Sequence, residues 1–431
     1  MPQFNGSIES LRKHKTPEWF RDLKFGIYFH WGPMAVLAVD GWYARNMYIQ
    51  GSTAYKYHLK NFGHPSEFGY KDLILLWKAE KFDPDKLVKI FKNAGAKYIT
   101  PVAVHHDNFD LWDSKHHKWN AVNMGPQKDI IGSWKKSVEK HGLKWGVTTH
   151  LSRAYSWFQT SHGADKKGPK KGIPYDGKDP KYHDLYFNSH GDDDLRSPKN
   201  PPESWRRQWI ARIKDLINNY DPEILYYDAS IPFRGDDGGK SGLELMAYFY
   251  NHNLKITNDK SNGILFIKKI PDHGVYREGV ANLDIEGKAS DQLLDEPWQT
   301  DLEIGHGWFY NNKAKYKKLL KQIGRWMKVN GRAIYGTRPW KKARENNIYF
   351  TKKENHLYIF LLGKAKRKLK IQALGSNRNS RQIQEIKFLE SNQKVDYEQK
   401  EHILVLKKIN GKYTPPLRVL DLVFEGMVDY Q

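Results

Sequence analysis

Cysteine is absent from all 431 residues. That excludes disulfides, thiolate metal sites and cysteine nucleophiles together, and it leaves the redox compartment open. No run of eighteen apolar residues occurs, so no segment reads as a membrane-spanning helix. The N-terminus, MPQFNGSIES, lacks a basic stretch followed by an apolar one. We expect a periplasmic or extracellular protein whose leader has been removed, with a cytoplasmic one as the alternative. Acidic residues are in deficit: 49 Asp and Glu face 71 Lys and Arg, a net charge of +22. The excess is spread along the chain, which favours a polyanionic partner through long-range attraction and counterion release. Nucleic acid and sulfated polysaccharide both satisfy that charge, and a lysine-rich solvated surface is the bland alternative.

Several apolar runs end in polar, chemically active residues. Lys24 to Phe29 leads into His30-Trp31-Gly32, Tyr98 to Val104 into His105-His106-Asp107, Lys144 to Thr149 into His150, and Ile224 to Tyr227 into Asp228. A fifth run spans Gly263 to Ile267. Segments with helical periodicity, Asp83 to Ala94, Ile131 to His141 and Pro202 to Asn219, lie between them. Alternating strands and helices predict a parallel α/β sheet, and a barrel of such strands gathers side chains from distant sequence at one mouth. A single histidine at a strand end reads as a core residue; four such strand ends together do not. Asp228 suits a nucleophilic carboxylate, and Tyr226 shares its face by period-two alternation. The stretch Gln159 to Asn200, rich in Gly, Pro, Asp and Lys, reads as a lid. From Asn346 onward short β runs alternate with turns, which predicts an antiparallel β-sandwich.

At these motifs the chain resembles glycoside hydrolase family 29, the retaining α-L-fucosidases. The family's WFxDxKFGIFxHWG is matched by residues 19 to 32, WYxRxMY by Trp42 to Tyr48, and HHDGFxLWDS by His105 to Ser114 with Asn108 in place of glycine. Its PWxTxxxIGxxWxYN and NGEAIYGTRPW motifs appear as Pro297 to Asn311 and Asn330 to Trp340, the latter with Arg332 in place of glutamate. The resemblance implies a (β/α)8-like parallel barrel over residues 1–345 and a β-sandwich over 346–431. The family's late NGNLLLNIGP strand has no counterpart here, so the barrel is expected to be irregular or incomplete.

The resemblance also implies a retaining exo-α-L-fucosidase-type hydrolase that needs no cofactor and no metal. Asp228 matches the nucleophile; Glu286 matches the acid/base, with Glu278 as the other candidate. His30, His105 and His106 match contacts to sugar hydroxyls, Trp308 an aromatic near the C5 methyl, and Trp42 the tryptophan of an EWY motif whose glutamate is here Gly41. His150 is added as a strand-end candidate, and Lys268 or Lys269 stands where an arginine is usual. These departures point to fucose, sulfated fucose or L-galactose on an anionic sulfated polysaccharide, with no nucleic acid partner and the oligomeric state left open. Two other readings remain. One is a metal-dependent hydrolase using His30, His105, His106, His150 and Asp228. The other is a non-catalytic glycan-binding barrel.

Overall fold

The computed structural model describes residues 3–195, 198–229, 231–258, 263–268, 279–287, 290, 292–305, 316–363, 368–377, 382–407, 409 and 417–428. Seven parallel strands form one sheet in sequential order: β1 (Gly26–Phe29), β2 (Tyr98–Val104), β3 (Lys144–Thr149), β4 (Ile224–Tyr227), β5 (Ile264–Lys268), β6 (Asn282–Asp284) and β7 (Trp298–Gln299). Both faces are covered, as short runs of Val, Ile, Leu and Tyr without polar alternation require. Period-two alternation sorts the side chains. Tyr28, Tyr98, Ile224, Tyr226, Ile264 and Phe266 form the inner cluster, whereas Ile27, Phe29, Ile99, Leu225, Leu265 and Ile267 join the larger core under the helices. The sheet is curled, because the Tyr28 ring of β1 lies 5.6 Å from the Tyr226 ring of β4 although β2 and β3 intervene. Among the described residues β1 and β7 are not paired with each other, so the sheet is a curled half-barrel, in keeping with the irregular or incomplete barrel expected.

Helices between the strands begin on ordinary caps. Asp83 Oδ1 accepts from Lys86 N at 3.0 Å ahead of Pro84–Asn93, with Pro84 in the first turn, and Asp129 Oδ1 accepts from Gly132 N at 2.8 Å ahead of Ile130–Lys140. The second helix buries Ile130, Ile131, Trp134 and Val138, each contributing roughly 1.5–3 kcal/mol relative to exposure. The helix Glu203–Tyr220 ends on Asp221 in the left-handed conformation (φ 44°) and delivers the chain to β4.

The segment read as a lid is packed down. Tyr48 and Tyr186 both donate to Asp176 at 2.7 Å, and Tyr55 and Tyr175 both donate to Asp165 at 2.6 Å. All six of these residues are buried. Tyr48 belongs to the WYxRxMY match, as does Arg45, whose Nη1 donates to Trp157 O at 2.8 Å. That motif is therefore the anchor for the segment.

Beyond the barrel, a five-stranded antiparallel sheet contains β8 (Arg338–Glu345), β9 (Ile348–Lys353), β10 (His356–Leu361), β12 (Ile383–Phe388) and β15 (Arg418–Phe424) in the order β12-β15-β10-β9-β8. A second sheet contains β11 (Lys368–Ile371), β13 (Tyr397–Lys400) and β14 (Ile403–Lys407). Leu357, Ile359, Leu420 and Leu422 of the first share one core with Ile371, Leu404 and Leu406 of the second. One difference from the sequence reading concerns the boundary at 345/346: Arg338–Glu345, assigned there to the barrel, pairs with β9 as an edge strand of the sandwich sheet. The outer face of that sheet, Tyr358, Phe360 and Val419, packs on Ala333, Trp326 and Ile334. Arg338 ties it to the barrel through Asp22 (2.8 Å) and Glu18 (2.5 Å). Arg332, in the position of a family glutamate, pairs at 3.0 Å with the buried Asp421.

Candidate active site at the strand ends

The parallel ladder runs one residue past the strand ends. His150 N donates to Val104 O (2.9 Å) and Asp228 N to Thr149 O (3.2 Å), so these two residues stand side by side at the mouth. His150 Nδ1 lies 2.7 Å from Asp228 Oδ2. His150 Nε2 lies 3.1 Å from Tyr28 Oη, which lies 3.1 Å from His30 Nε2. A carboxylate only accepts, so a neutral His150 donates from Nδ1 and its Nε2 accepts from the Tyr28 hydroxyl. The phenol oxygen in turn accepts from His30. His106 Nδ1 donates to the carbonyl of His150 at 3.0 Å. The four imidazoles form one group: His105 is 4.5 Å from His106, 4.9 Å from His150 and 5.4 Å from His30 between ring centroids.

Burial sets the protonation of this group. His105 and His106 are held well below the usual imidazole range, first by desolvation and then by neighbouring positive charge, from the other imidazoles and, at His106, from Arg153. They are neutral at pH 7, and with its Nδ1–H given to the His150 carbonyl His106 offers Nε2 as an acceptor to a hydroxyl group. The Tyr28 phenol is pushed well above its usual range by burial and by Asp228, Asp301, Asp284 and Glu286, so it stays protonated. Those carboxylates end or follow β4, β6 and β7, and the curl that brings the Tyr226 ring to 5.6 Å from Tyr28 turns these strand ends toward β1. Asp228 is 6% exposed, and Asp284 is fully buried and accepts from Tyr226 Oη at 2.8 Å. An aromatic wall closes one side: Trp157 lies 5.6 Å from His106, and Trp42 lies 6.0 Å from His106 and 6.2 Å from Trp157.

The loop bearing the two histidines is braced from below. Asn108 has φ 57°, a left-handed backbone that favours glycine and that asparagine tolerates. Its side chain uses the position: Nδ2 donates to Asp184 O (3.1 Å) and Leu185 O (2.9 Å), while Oδ1 accepts from Arg212 Nη1 (2.7 Å). Arg212 also grips Asp110 in two contacts, Nε–Oδ2 3.1 Å and Nη2–Oδ1 2.6 Å, with both side chains fully buried.

Residues 1–319 match the family model described as α-L-fucosidase. The chain belongs to the α-L-fucosidase family. It is thus a glycoside hydrolase of the fucosidase type. The rat tissue α-L-fucosidase is 25% identical over 396 residues, 82% of this chain and 78% of that protein. The Dictyostelium discoideum α-L-fucosidase is 26% identical, covering 81% and 78%. Among solved structures, the Thermotoga maritima α-fucosidase in complex with a mechanism-based inhibitor superposes with a TM-score of 0.72 at 24% identity, over 97% of this chain and 100% of that one. A family 29 α-L-fucosidase from Bacteroides thetaiotaomicron, trapped as a covalent intermediate, gives 0.65 at 15% identity, over 96% and 98%. These structural likenesses establish the shared fold.

Within this fucosidase frame, His30, His105, His106, His150, Asp228 and Trp42 are brought together at one mouth. Tyr226 lies beneath them, with its hydroxyl committed to Asp284. Glu286 is exposed in the turn after β6, where the ladder continues through Ile285 N to Gln299 O and Gly287 N to Asp301 O, both 3.0 Å. Lys268 is the last residue of β5, in register with Asp284. Trp308 and Glu278 lie outside the described residues. Sequence reading missed Tyr28, Trp157, Arg153, Asp284 and Asp301; only Tyr28 carried a signal, being two residues before His30 on the same face.

Two sets of side chains have the spacing for a metal ion, His30 with His105 and His150, and His106 with His150 and Asp228, their ligand atoms lying within 4.8 Å of one another. Both need His150, whose two nitrogens are already engaged by Asp228 and Tyr28. The donor set suits hydroxyl recognition better than ligation. No described helix is long and apolar enough to cross a membrane.

Proposed function

We propose that this fucosidase-family enzyme removes terminal α-L-fucose, or a sulfated fucose or L-galactose, by a retaining double displacement. Asp228 is the nucleophile and Glu286 the acid/base. The observation that carries the reading is the His150–Asp228 pair of 2.7 Å at the centre of the strand-end histidines. One carboxylate oxygen is held by the imidazole, which fixes the direction in which the other presents itself. That oxygen attacks C1 of the sugar as Glu286 protonates the departing glycosidic oxygen, giving a covalent glycosyl-enzyme. Water, deprotonated by Glu286, then attacks C1 and releases Asp228. The covalent intermediate trapped in the Bacteroides relative supports this route. His30, His105 and His106 read the sugar hydroxyls, Trp42 belongs to the aromatic wall, and Trp308 and Lys268 are the further binding candidates the family resemblance assigns. The +22 net charge favours an anionic glycan, and a periplasmic or extracellular location is the one that goes with such a polymer.

The test is Asp228→Gly. Turnover of 4-nitrophenyl α-L-fucoside should fall by about 10³-fold or more, and added azide should restore part of it by taking the place of the missing carboxylate. An Asp228→Gly enzyme of wild-type rate would sink the assignment.

A further inference from the structure

Arg153 closes the short turn Leu151–Arg153 that follows β3, and nothing in the reaction above uses it. Its backbone N–H donates to His150 O at 3.3 Å, the same carbonyl that His106 Nδ1 reaches at 3.0 Å. The residue is therefore seated against the sugar-reading histidines. Its guanidinium acts on the His106 imidazole, disfavouring a second positive charge there. The side chain is half-buried, and its Nε is shielded from solvent without an acceptor. Among the described residues no carboxylate pairs with it, whereas Arg212, Arg338 and Arg418 all have acidic partners.

A shielded guanidinium donor without an acceptor is costly unless something outside the chain supplies one. A guanidinium presents a planar fork of donors that matches carboxylate and sulfate oxygens in two contacts, and in a partly dry setting such contacts are strong. We propose that Arg153 is the specificity residue for an anionic group on the substrate, a sulfate ester or a carboxylate carried by the fucose or by the sugar next to it. This rests on the fucosidase reading above and assigns one residue to the charge that the +22 net charge attracts only diffusely.

The experiment compares wild type, Arg153→Ala and Arg153→Lys on three α-L-fucosides: neutral 4-nitrophenyl fucoside, a sulfated fucosyl oligosaccharide and a uronate-bearing one. Arg153→Ala should lower kcat/KM on a charged substrate roughly ten- to hundredfold more than on the neutral one, and Arg153→Lys should recover part of the difference. Which charged substrate responds identifies the group as sulfate or carboxylate. The neutral substrate reports on folding of each variant. Equal losses on all three substrates, or none on any, would overturn the assignment of Arg153 while leaving the hydrolase reading in place. A wild-type enzyme inactive on every α-L-fucoside would overturn both.

Discussion

Replacing Arg212 by methionine tests how the histidine loop is held. The guanidinium makes two contacts with Asp110 and one with Asn108 in a site from which water is excluded, and Met keeps most of the side-chain volume. Burial already pushes the Asp110 carboxyl above its usual range in spite of Arg212, so removing the cation leaves a desolvated acid with no counter-charge. Breaking one side of such a pair costs about 3–5 kcal/mol. At roughly 2.1 cal/mol/K of unfolding entropy per residue, a barrel of about 340 residues loses about 1 °C in Tm for each 0.7 kcal/mol, so a fall of about 4–7 °C is expected. Urea denaturation monitored by tryptophan fluorescence, with scanning calorimetry alongside, reads both quantities. Replacing both charges, Arg212→Met with Asp110→Leu, should recover most of the loss, because an apolar pair of similar shape carries no stranded charge. The double variant should still lag in kcat/KM, since Asn108 has lost one of its three side-chain contacts two residues after His106. A double variant no more stable than the single one, or a single variant within about 1 kcal/mol of wild type, would refute the argument.

Glu286→Ala should slow substrates with poor leaving groups far more than aryl fucosides, since only the former need a proton at departure; if Glu278→Ala behaves this way instead, the two roles are exchanged. Tyr28→Phe removes the hydroxyl between His30 and His150 without changing volume, and kcat should fall about 5- to 100-fold with the fold intact; an unchanged kcat would show that the His30–Tyr28–His150 chain does not position Asp228. Stability should decline on acidification from pH 6 to pH 5. His105, His106 and His117 are held well below their usual range and His14 at about 4, so below pH 6.5 the unfolded chain takes up protons that the folded one does not. Asp107 and Asp176, raised to about 6, act in the opposite sense but are outnumbered by the lowered imidazoles, so the net effect is a loss of stability on acidification. Denaturant midpoints that rise between pH 6 and pH 5 would contradict this balance.

Much of the barrel is legible because a parallel strand buried on both faces announces itself as an unbroken apolar run. Tyr98–Val104, Lys144–Thr149 and Ile224–Tyr227 fall where the sequence puts them. The strand Arg338–Glu345 does not announce itself. It is an edge strand with Pro339 and a run of Lys and Arg, and only Trp340 and Glu345 are fully buried. Tyr397–Lys400 is hidden for the same reason, being polar and held by its partner β14. At the site, His30, His105, His106, His150 and Asp228 are readable since each directly follows an apolar run, and the parallel register does the rest. Tyr28, Trp157, Arg153, Asp284 and Asp301 are not, because their convergence depends on how far the sheet curls and on where the 159–200 segment packs, neither of which leaves a local pattern. Two of the motif departures also resolve differently in space: Asn108 takes over a left-handed position and adds contacts, whereas Arg332 serves the sandwich through Asp421.

The tyrosine pairs on Asp165 and Asp176 have a kinetic consequence. A long connection lacking regular structure beside a sugar site is ordinarily a gate, whose opening limits the release of product. Here Tyr48 and Tyr55, outside the segment, fasten it through its own buried Asp176 and Asp165, which Tyr186 and Tyr175 of the segment also hold, and Trp157 of the aromatic wall stands just before it. Opening it would break the bonds from Tyr48 to Asp176 and from Tyr55 to Asp165, each worth about 1.5–3 kcal/mol. Residues 165–186 are thereby held in place, so fucose enters and leaves without moving them. Turnover should then be insensitive to solvent viscosity wherever bond cleavage is slow, and aglycone preference becomes a matter of the wall's shape, open to redesign at its surface without disturbing a moving part.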